Sequence, residues 1–146
     1  MPRFFNLNQA QRLLPEVDSA IREAIALKAE YIESGDEIRN SALRVSMLGG
    51  SVVDRGAAVA QKERHEQSGA QLNAAIEKIH EFGCVVKDLD IGLIDFPTLL
   101  RGQEVYLCWK LGEAGIRFWH GVDEGFRGRQ AIDQDFLDNH QGELPN

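Results

Sequence analysis

The sequence predicts an α+β fold in which an antiparallel pair of long helices packs with a small antiparallel β-sheet. Apolar residues recur with helical spacing through much of residues 1–83. Residues 84–129 instead contain short alternating runs separated by glycine-containing turns, which is typical of β-strands. A chain of 146 residues suits one domain. We therefore predict a single domain, 1–146, with a helical hairpin (1–83), a β-rich module (84–129) and an acidic tail (130–146).

The first helix is predicted to begin near Leu7. Asn6 is a favourable N-cap, and Gln9 falls three residues later, where a capping box requires it. The apolar residues that follow have the spacing of an amphipathic helix; they are Ala10, Leu13, Leu14, Val17, Ile21, Ala24, Ile25, Tyr31 and Ile32. One face of this helix should therefore pack against another element.

The extent of this helix is less clearly marked. Pro15 lies inside the apolar pattern and predicts either a kink or the start of a second helix. Ser34-Gly35 is expected to end the helix, because glycine favours the conformation that follows a helix C-terminus. Residues 36–50 fit a short helix only ambiguously, and Gly49-Gly50 breaks that run.

The second helix is predicted from Ser51 to about Phe82, where Gly83 stops it. Its expected buried face has helical spacing and consists of His65, Gly69, Leu72, Ile76 and Ile79. A histidine on such a face is more often a satisfied core or interface residue than a ligand. Two long helices joined by a turn predict an antiparallel helical hairpin.

The β-rich module begins with a clear hairpin pattern. The residues Leu93–Leu100 predict a strand, and Pro97 is expected to place it at a sheet edge or a bulge. Residues 104–110 alternate strictly and form the clearest strand of the chain. A short turn with glycine would join the two strands into a β-hairpin over about residues 93–110. Residues 112–120 predict one more strand.

The composition excludes some classes of partner. Hydrophobic residues make up 43% and charged residues 27% of the chain, which are ordinary globular values. The formal net charge of -7 argues against a nucleic-acid partner, because phosphate contacts need a surplus of lysine and arginine. Residues 130–146 contain four acidic side chains and no lysine or arginine, so we predict a solvated, partly disordered terminus there.

Cysteine usage and hydropathy indicate the compartment. Cys84 and Cys108 are too few for a disulfide framework, and neither lies in a Cys-x-x-Cys pair. The first residues lack the apolar region of a signal peptide. No run of about 18 apolar residues is present, so no membrane partner is expected. We predict a cytoplasmic protein with reduced thiols.

A carboxylate and histidine group within the module could bind a metal ion. His120, with Glu113, Asp123 and Glu124, offers the nitrogen and oxygen ligands that suit Fe, Mn or Zn. Their spacing matches no defined metal motif. The alternative is that His120 forms a hydrogen bond with a neighbouring carboxylate while the other acids are solvated.

Asp95 lies within a predicted strand. If Leu93, Pro97 and Leu99 point inward, the alternation of a strand points Asp95 inward as well. A buried carboxylate must be paired, hydrogen-bonded or protonated. It could therefore be functional, or it could have a structural partner such as Arg117, Arg129 or backbone N–H groups.

The segment 125–129 carries two guanidinium groups on a turn. Arg127 and Arg129 could bind a carboxylate or a phosphate through paired hydrogen bonds. The alternative is that they pair with the acidic tail or with Asp95. Cys108 is predicted to be a poor nucleophile, because it lies in the middle of a strand without a helix N-terminus or an adjacent cation to activate it.

Several motifs carry a resemblance to a known family. They are Lys87-Asp88-Leu89-Asp90 with Gly92-Leu93-Ile94-Asp95-Phe96-Pro97, Val105-Tyr106-Leu107-Cys108-Trp109 with Leu111-Gly112-Glu113, Trp119-His120, and Gly125-Phe126-Arg127-Gly128-Arg129. Phe4-Phe5-Asn6-Leu7 and Leu13-Leu14-Pro15-Glu16 are similar to the start of the same family. Through these motifs nearly the whole chain resembles the bacterial family called domain of unknown function 2203. The chain departs from the family at Ala114-Gly115, where Glu-Pro is expected.

The resemblance implies a bacterial cytoplasmic protein whose function is not established, and it does not imply an enzyme. It singles out the polar residues that match the motifs, namely Asp88, Asp95, Glu113, His120 and Arg129. Glu16 joins them from the first helix, since it could reach the module if that helix packs beneath it.

Three hypotheses for function follow. The first is a small metal-binding protein, a homodimer through its helical hairpin, that holds a divalent ion (Fe, Mn or Zn). Its candidate metal ligands are His120, Glu113, Asp95, Glu16 and Asp88, and its candidate anion-binding residues are Arg127 and Arg129. The second is a protein-interaction module without metal or catalytic activity, whose apolar helix faces bind another chain. The third is an enzyme with carboxylates as general acid and base.

Overall fold

The computed structural model describes residues 3–49 and 54–143. Two long packed helices precede a small antiparallel sheet, so the predicted α+β class is confirmed. In chain order the elements are α1 (Leu7–Met47), α2 (Arg55–Glu81), β1 (Val85–Asp88), β2 (Leu93–Leu100), β3 (Gln103–Lys110), β4 (Phe118–Gly121), a 3-10 turn (Phe126–Gly128), β5 (Gln130–Ala131), α3 (Gln134–Asn139) and β6 (His140–Gln141). None of the helices in these ranges is long and apolar enough to span a membrane.

The sheet has the strand order β1-β2-β3-β4-β5, and β6 adds to β2. Every pair is antiparallel. The β2–β3 hairpin confirms the prediction for residues 93–110. Its two-residue turn has positive φ at both Arg101 (49°) and Gly102 (79°), as a type I′ turn requires. That turn matches the right-handed twist of the two strands it joins.

Helix α1 begins as the sequence predicts and ends later. The capping box between Asn6 and Gln9 is present. The predicted end at Ser34-Gly35 is wrong, because the helix continues through Pro15 and through these residues to Met47. The Ser34 hydroxyl donates to the carbonyl of Tyr31 at 3.0 Å, so it is satisfied inside the helix.

Helices α1 and α2 meet closely at a pair of stacked rings. The ring centroids of Tyr31 and His65 are 4.3 Å apart, and His65 Nδ1 lies 2.9 Å from Ser34 Oγ. A Cβ on Gly69 would lie 3.0 Å from the Tyr31 ring, and one on Gly35 would lie 3.2 Å from the His65 ring. The glycines therefore give the rings room between the helices. His65 is the interface residue that the sequence favours.

Helix α2 is shorter at its start than predicted. It begins at Arg55, and the Asp54 carboxylate accepts a hydrogen bond from the backbone of Ala57 at 3.0 Å. The predicted start at Ser51 lies outside the described residues. At the other end the helix stops at Glu81, close to the predicted boundary.

Strand β2 is a central strand, so the expectation that Pro97 marks an edge or a bulge is wrong. Residues 93–95 of β2 pair with β1, and residues 99–100 pair with β6. Pro97 lies in the gap between these two partners, where no amide hydrogen is needed. Its carbonyl instead accepts from the backbone N–H of Phe5 at 2.7 Å. The proline is tolerated because the start of the chain docks at this point.

The main core lies between the helices and one face of the sheet. Its largest fully buried members include Phe5, Val17, Ile21, Ile79, Ile94, Phe96, Leu107 and Trp109. Because Ile94 and Phe96 point to the helices, the alternating residues of β2 point to the opposite face. Leu93 and Pro97 are buried on that opposite face together with Asp95, as the inward-facing alternation predicts. Asp95 is buried under the second face.

The acidic C-terminal segment is folded as far as residue 143. The expectation of a partly disordered terminus is wrong there, because β5, α3 and β6 form within it. Phe136 is buried, and Asp133 caps α3 by accepting from the Phe136 backbone at 2.8 Å. The acidic side chains of this segment are exposed, while its aromatic residue joins the core.

The strand predicted over residues 112–120 is reduced to β4. Glu113 holds the preceding segment in a turn instead. Its carboxylate accepts from the Lys110 backbone at 2.7 Å, and its carbonyl accepts from the Trp109 indole at 3.0 Å. These local bonds replace the ladder bonds of an extended strand.

Candidate metal centre

Three side chains from neighbouring strands meet on the second face of the sheet. Asp95 on β2 pairs in register with Cys108 on β3, and His120 on β4 lies diagonally across from Cys108. Asp95 and Cys108 are 0% exposed and His120 is 3% exposed. The antiparallel order β2-β3-β4 is what brings residues so distant in sequence together.

Both ring nitrogens of His120 are engaged. Nδ1 lies 2.8 Å from the carbonyl oxygen of Gly121, which can only accept, so Nδ1 carries a hydrogen. Nε2 lies 2.9 Å from each carboxylate oxygen of Asp95. That contact also needs a hydrogen, either on Nε2 or on the carboxyl group. In both cases one proton lies between His120 and Asp95, and the pair has no net charge.

Cys108 completes the group. One ligand atom each of Asp95, Cys108 and His120 can be chosen so that all three lie within 4.8 Å of one another. Burial, together with the nearby Asp95 carboxylate, raises the pKa of the Cys108 thiol to about 12. The thiol is therefore protonated at neutral pH.

The chemistry of these three groups is that of metal ligands. Thiolate sulfur, imidazole nitrogen and carboxylate oxygen are the protein ligands of zinc. A nucleophile and base arrangement does not fit, because His120 directs neither ring nitrogen to the Cys108 thiol by a hydrogen bond. The raised thiol pKa also opposes a nucleophilic role, as the sequence predicts.

A divalent ion could enter this buried group without adding net charge. The Asp95–His120 pair is neutral, and so is the protonated thiol of Cys108. A divalent cation that replaces the shared proton and the thiol proton leaves two anionic ligands and one neutral ligand around it. The total charge stays at zero, which avoids the large free-energy cost of burying an unbalanced charge.

Arg129 forms a second cluster on the same face. Its Nη2 donates to Glu113 Oε2 at 2.6 Å. Its guanidinium carbon lies 3.9 Å from the ring centroid of Phe118 and 4.7 Å from that of Phe126. The Nη1 atom is buried and has no hydrogen-bond partner among the described residues. Of the two alternatives for Arg129, pairing with Asp95 or the acidic tail, the structure shows neither.

The other residues proposed from the sequence lie elsewhere. Glu113 is paired with Arg129 and is not part of the three-residue group. Glu16 is exposed on α1. Asp88 is exposed at the end of β1, where its carboxylate accepts from the Asp90 backbone at 3.0 Å. Arg127 is exposed on the 3-10 turn. Of the five candidate ligands, the structure brings Asp95 and His120 together.

Sequence reasoning missed Cys108 as a possible ligand. The sequence predicts only that Cys108 is a poor nucleophile in the middle of a strand. Its position in the alternation could have included it. Asp95 and Cys108 lie on the same face of the β2–β3 hairpin, and the opposite face is strongly apolar.

Side chains cover the group from outside. The ring of Tyr106 lies 5.5 Å from that of His120, and the Lys87 ammonium lies 5.2 Å above the Tyr106 ring. Burial raises the pKa of Tyr106, and the Glu104 carboxylate raises it further. This phenol therefore stays neutral at physiological pH beside the group.

Comparisons with known proteins identify a family only. The family model DUF2203, described as "Uncharacterized conserved protein", matches residues 3–132. A search of curated proteins and a search of solved structures each gave no match.

Proposed function

The chain belongs to the DUF2203 family, whose description assigns no activity, and we propose that it binds a divalent metal ion through Asp95, Cys108 and His120. The observation that supports the proposal is the meeting of three different ligand types, all buried, within 4.8 Å. Burying a carboxylate, an imidazole and a thiol together costs free energy that an apolar sheet face would avoid. A metal ion offsets that cost.

Zinc is the ion that the ligand set fits best. The sequence alone favours Fe, Mn or Zn, because it pairs histidine with carboxylates. The inclusion of Cys108 shifts the preference towards a softer ion, since thiolate is a poor ligand for Mn. Three protein ligands also match the zinc sites that keep a fourth position open.

Metal analysis with a pair of cysteine variants tests this function. Cys84 and Cys108 are both buried free thiols, but Cys84 lies outside the group. Tag-free wild-type protein and Cys84→Ser should each bind one zinc ion per chain. Cys108→Ser should bind zinc more than about 100-fold more weakly, because losing a ligand costs more than losing a second-layer contact. Equal zinc affinity in the two variants would contradict the proposal, and so would no stoichiometric zinc in wild type.

We also propose that the protein works in a reducing compartment, the cytoplasm. A thiolate ligand requires Cys108 to stay reduced, and both cysteines are free. When thiols are trapped by alkylation of intact cells before lysis, both cysteines should be recovered reduced and alkylated. Recovery of Cys108 in a disulfide would contradict this location.

A second candidate function is self-association through the end of the helical hairpin. We call residues 36–49 and 54–62 the hairpin tip. Leu43, Met47 and Val59 are exposed there by 60%, 78% and 56%. Beside them is a cleft of about 760 Å³ with a mainly apolar lining that includes Ile38, Ala42, Val45, Ala57 and Ala58. Such a surface is typical of an interaction site.

The charge of the hairpin tip favours a second copy of this chain as the partner. The tip carries four basic and three acidic side chains, whereas the whole chain has a net charge of -7. Two acidic molecules can therefore approach through their tips with little repulsion. Two helical hairpins joined by a two-fold axis would form a four-helix bundle and bury the apolar residues.

Sedimentation of charge variants tests this association. Wild type should be a dimer and Met47→Glu a monomer, because the new charge would be buried between the copies. Val122→Glu changes an exposed apolar residue outside the tip and should leave the dimer intact. A monomeric wild type, or a dimeric Met47→Glu, would rule out the tip as the interface.

A further inference from the structure

Arg129 is enclosed more completely than its single ion pair explains. Its side chain is 9% exposed, and aromatic rings cover it at Phe118 and Phe126. The N–H groups of a guanidinium lie in its own plane, so these rings cover its faces without accepting its hydrogen bonds. Nη2 is used by Glu113, while the buried Nη1 has no partner among the described residues. A buried charged donor without a partner costs free energy, so it marks a position where an acceptor is missing.

The guanidinium lies beside the three-residue group. Phe118, which supports Arg129, pairs in register with Cys108 across β3 and β4. Arg129 therefore offers a positive charge to an anion bound at this group. In the structure that charge is paired with Glu113.

We propose that Arg129 Nη1 binds a small monocarboxylate that fills the open fourth position of the metal site. The inference rests on the metal-binding function proposed above. A metal held by three protein ligands keeps one position for an exogenous ligand. A carboxylate can use one oxygen for the metal and the other for the guanidinium, which matches the planar geometry of arginine.

Charge and space limit the ligand to a small monoanion. A bound monocarboxylate brings one negative charge, which the buried guanidinium of Arg129 can balance because the Glu113 carboxylate is 27% exposed and can be stabilised by solvent. A phosphate would add close to two. Asp95 and Cys108 are 0% exposed and His120 is 3% exposed, which favours formate or acetate over a long chain.

Cobalt substitution provides a readout that does not depend on activity. Cobalt(II) can replace zinc, and its visible spectrum reports the ligands bound to it. Formate added to the cobalt protein should change the spectrum in a saturable way. Arg129→Met should bind cobalt normally and lose about 10- to 100-fold in formate affinity, because a hydrogen bond to a charged group is removed. Arg127→Met, which changes an exposed neighbour, should behave as wild type.

A second variant keeps the test decisive if Arg129→Met does not fold. Arg129→Lys retains the charge but not the planar fork, so it should show the same direction of change with a smaller loss. No cobalt binding by wild type would overturn both this inference and the metal function. Cobalt binding with a spectrum that formate does not alter would overturn the carboxylate alone. Equal formate affinity in wild type and both Arg129 variants would also overturn it.

Discussion

The contact between Asp95 and His120 is the most constrained polar interaction at the scale of single residues. Neither side chain has access to water, and each satisfies the other. Removing one partner leaves a buried carboxyl or imidazole without compensation. The pair therefore has a structural role in addition to the proposed role as metal ligands. Stability measurements on the metal-free protein report the structural role alone.

His120→Ala should lower the free energy of unfolding of the metal-free protein by about 3–5 kcal/mol, because Asp95 then stays buried without its partner. Asp95→Ala made in the His120→Ala background should cost much less than Asp95→Ala alone. Urea denaturation in the presence of a chelator measures both. Arg127→Ala, at an exposed position, is the control and should change stability by less than about 0.5 kcal/mol. Additive losses from the two site variants would show that the pair is not coupled.

Metal uptake should release one proton from the Asp95–His120 pair and one from the Cys108 thiol. Burial raises the thiol pKa to about 12, so the thiol is protonated at every pH below that value and protons compete with the metal. Affinity should therefore rise with pH and fall as pH is lowered. Calorimetry in buffers with different ionisation enthalpies counts the protons. Cys108→Ser should lose the thiol proton from that count, and no proton release in wild type would contradict the exchange.

At the scale of elements, the two long helices are held together by close approach as well as by apolar contacts. Tyr31 and His65 stack between them, and each ring lies against a glycine of the opposite helix. Arg64 on α2 also bridges to Glu30 and Glu37 on α1, and these hydrogen bonds raise the pKa of the arginine. Because this ion network is largely exposed, it contributes little to stability, and the ring stack defines the spacing of the helices.

Gly69→Ala should destabilise the protein although alanine favours helices. The added methyl group would lie 3.0 Å from the Tyr31 ring, so the rings or helices must shift. The cost of about 1–3 kcal/mol for overpacking exceeds the gain of about 1 kcal/mol in helix propensity. Gly56→Ala meets only ordinary contacts and should not destabilise α2. Thermal unfolding of both variants tests the difference, and a stabilised Gly69→Ala would show that the interface can yield.

Elements with local signals were predictable, and those with distant partners were not. The Asn6 cap and the β2–β3 hairpin depend on a few neighbouring residues, and both are confirmed. The length of α1 depends on α2, since Gly35 is kept helical beside His65. The central position of β2 depends on the N-terminal segment that docks at Pro97. Such contacts have no signature in the sequence near the residue concerned.

The candidate site shows the same limit. Alternation correctly predicts that Asp95 is buried, and the family motifs include Asp95 and His120. The meeting of the two side chains requires β3 to lie between β2 and β4, which is a property of strand order. Cys108 enters the group for the same reason. Glu113 could not be excluded as a ligand from sequence, because its bond to Arg129 crosses a turn and a strand.

At the scale of the whole molecule, the C-terminal segment is part of the core. Phe136 is buried, with its ring centroid 5.2 Å from that of Trp119 and 5.2 Å from that of His140. His140 Nε2 accepts a hydrogen bond from the Leu7 backbone at 3.0 Å, so the same segment caps the start of α1. Residues 130–143 are therefore folded, and their acidic side chains lie on the surface.

Phe136→Ala should lower the free energy of unfolding by about 3–5 kcal/mol, as for a fully buried aromatic residue. Leu137→Ala, the adjacent residue in α3, is 38% exposed and should cost clearly less. Guanidinium denaturation of the two variants measures the difference. A similar small loss in both would indicate that the segment is only loosely attached in solution.

The backbone N–H of Glu143 donates to the carbonyl of Phe4 at 2.9 Å, so residues 4 and 143 are adjacent in space. A short linker between residues 4 and 143 would leave the pairing of β6 with β2 in place. New ends could then be opened at the connection between α1 and α2. In such a circularly permuted chain, both helices would still be anchored at the sheet, and the new ends would lie at the hairpin tip. A reporter fused to either end would then be placed on the proposed dimer surface instead of beside α3.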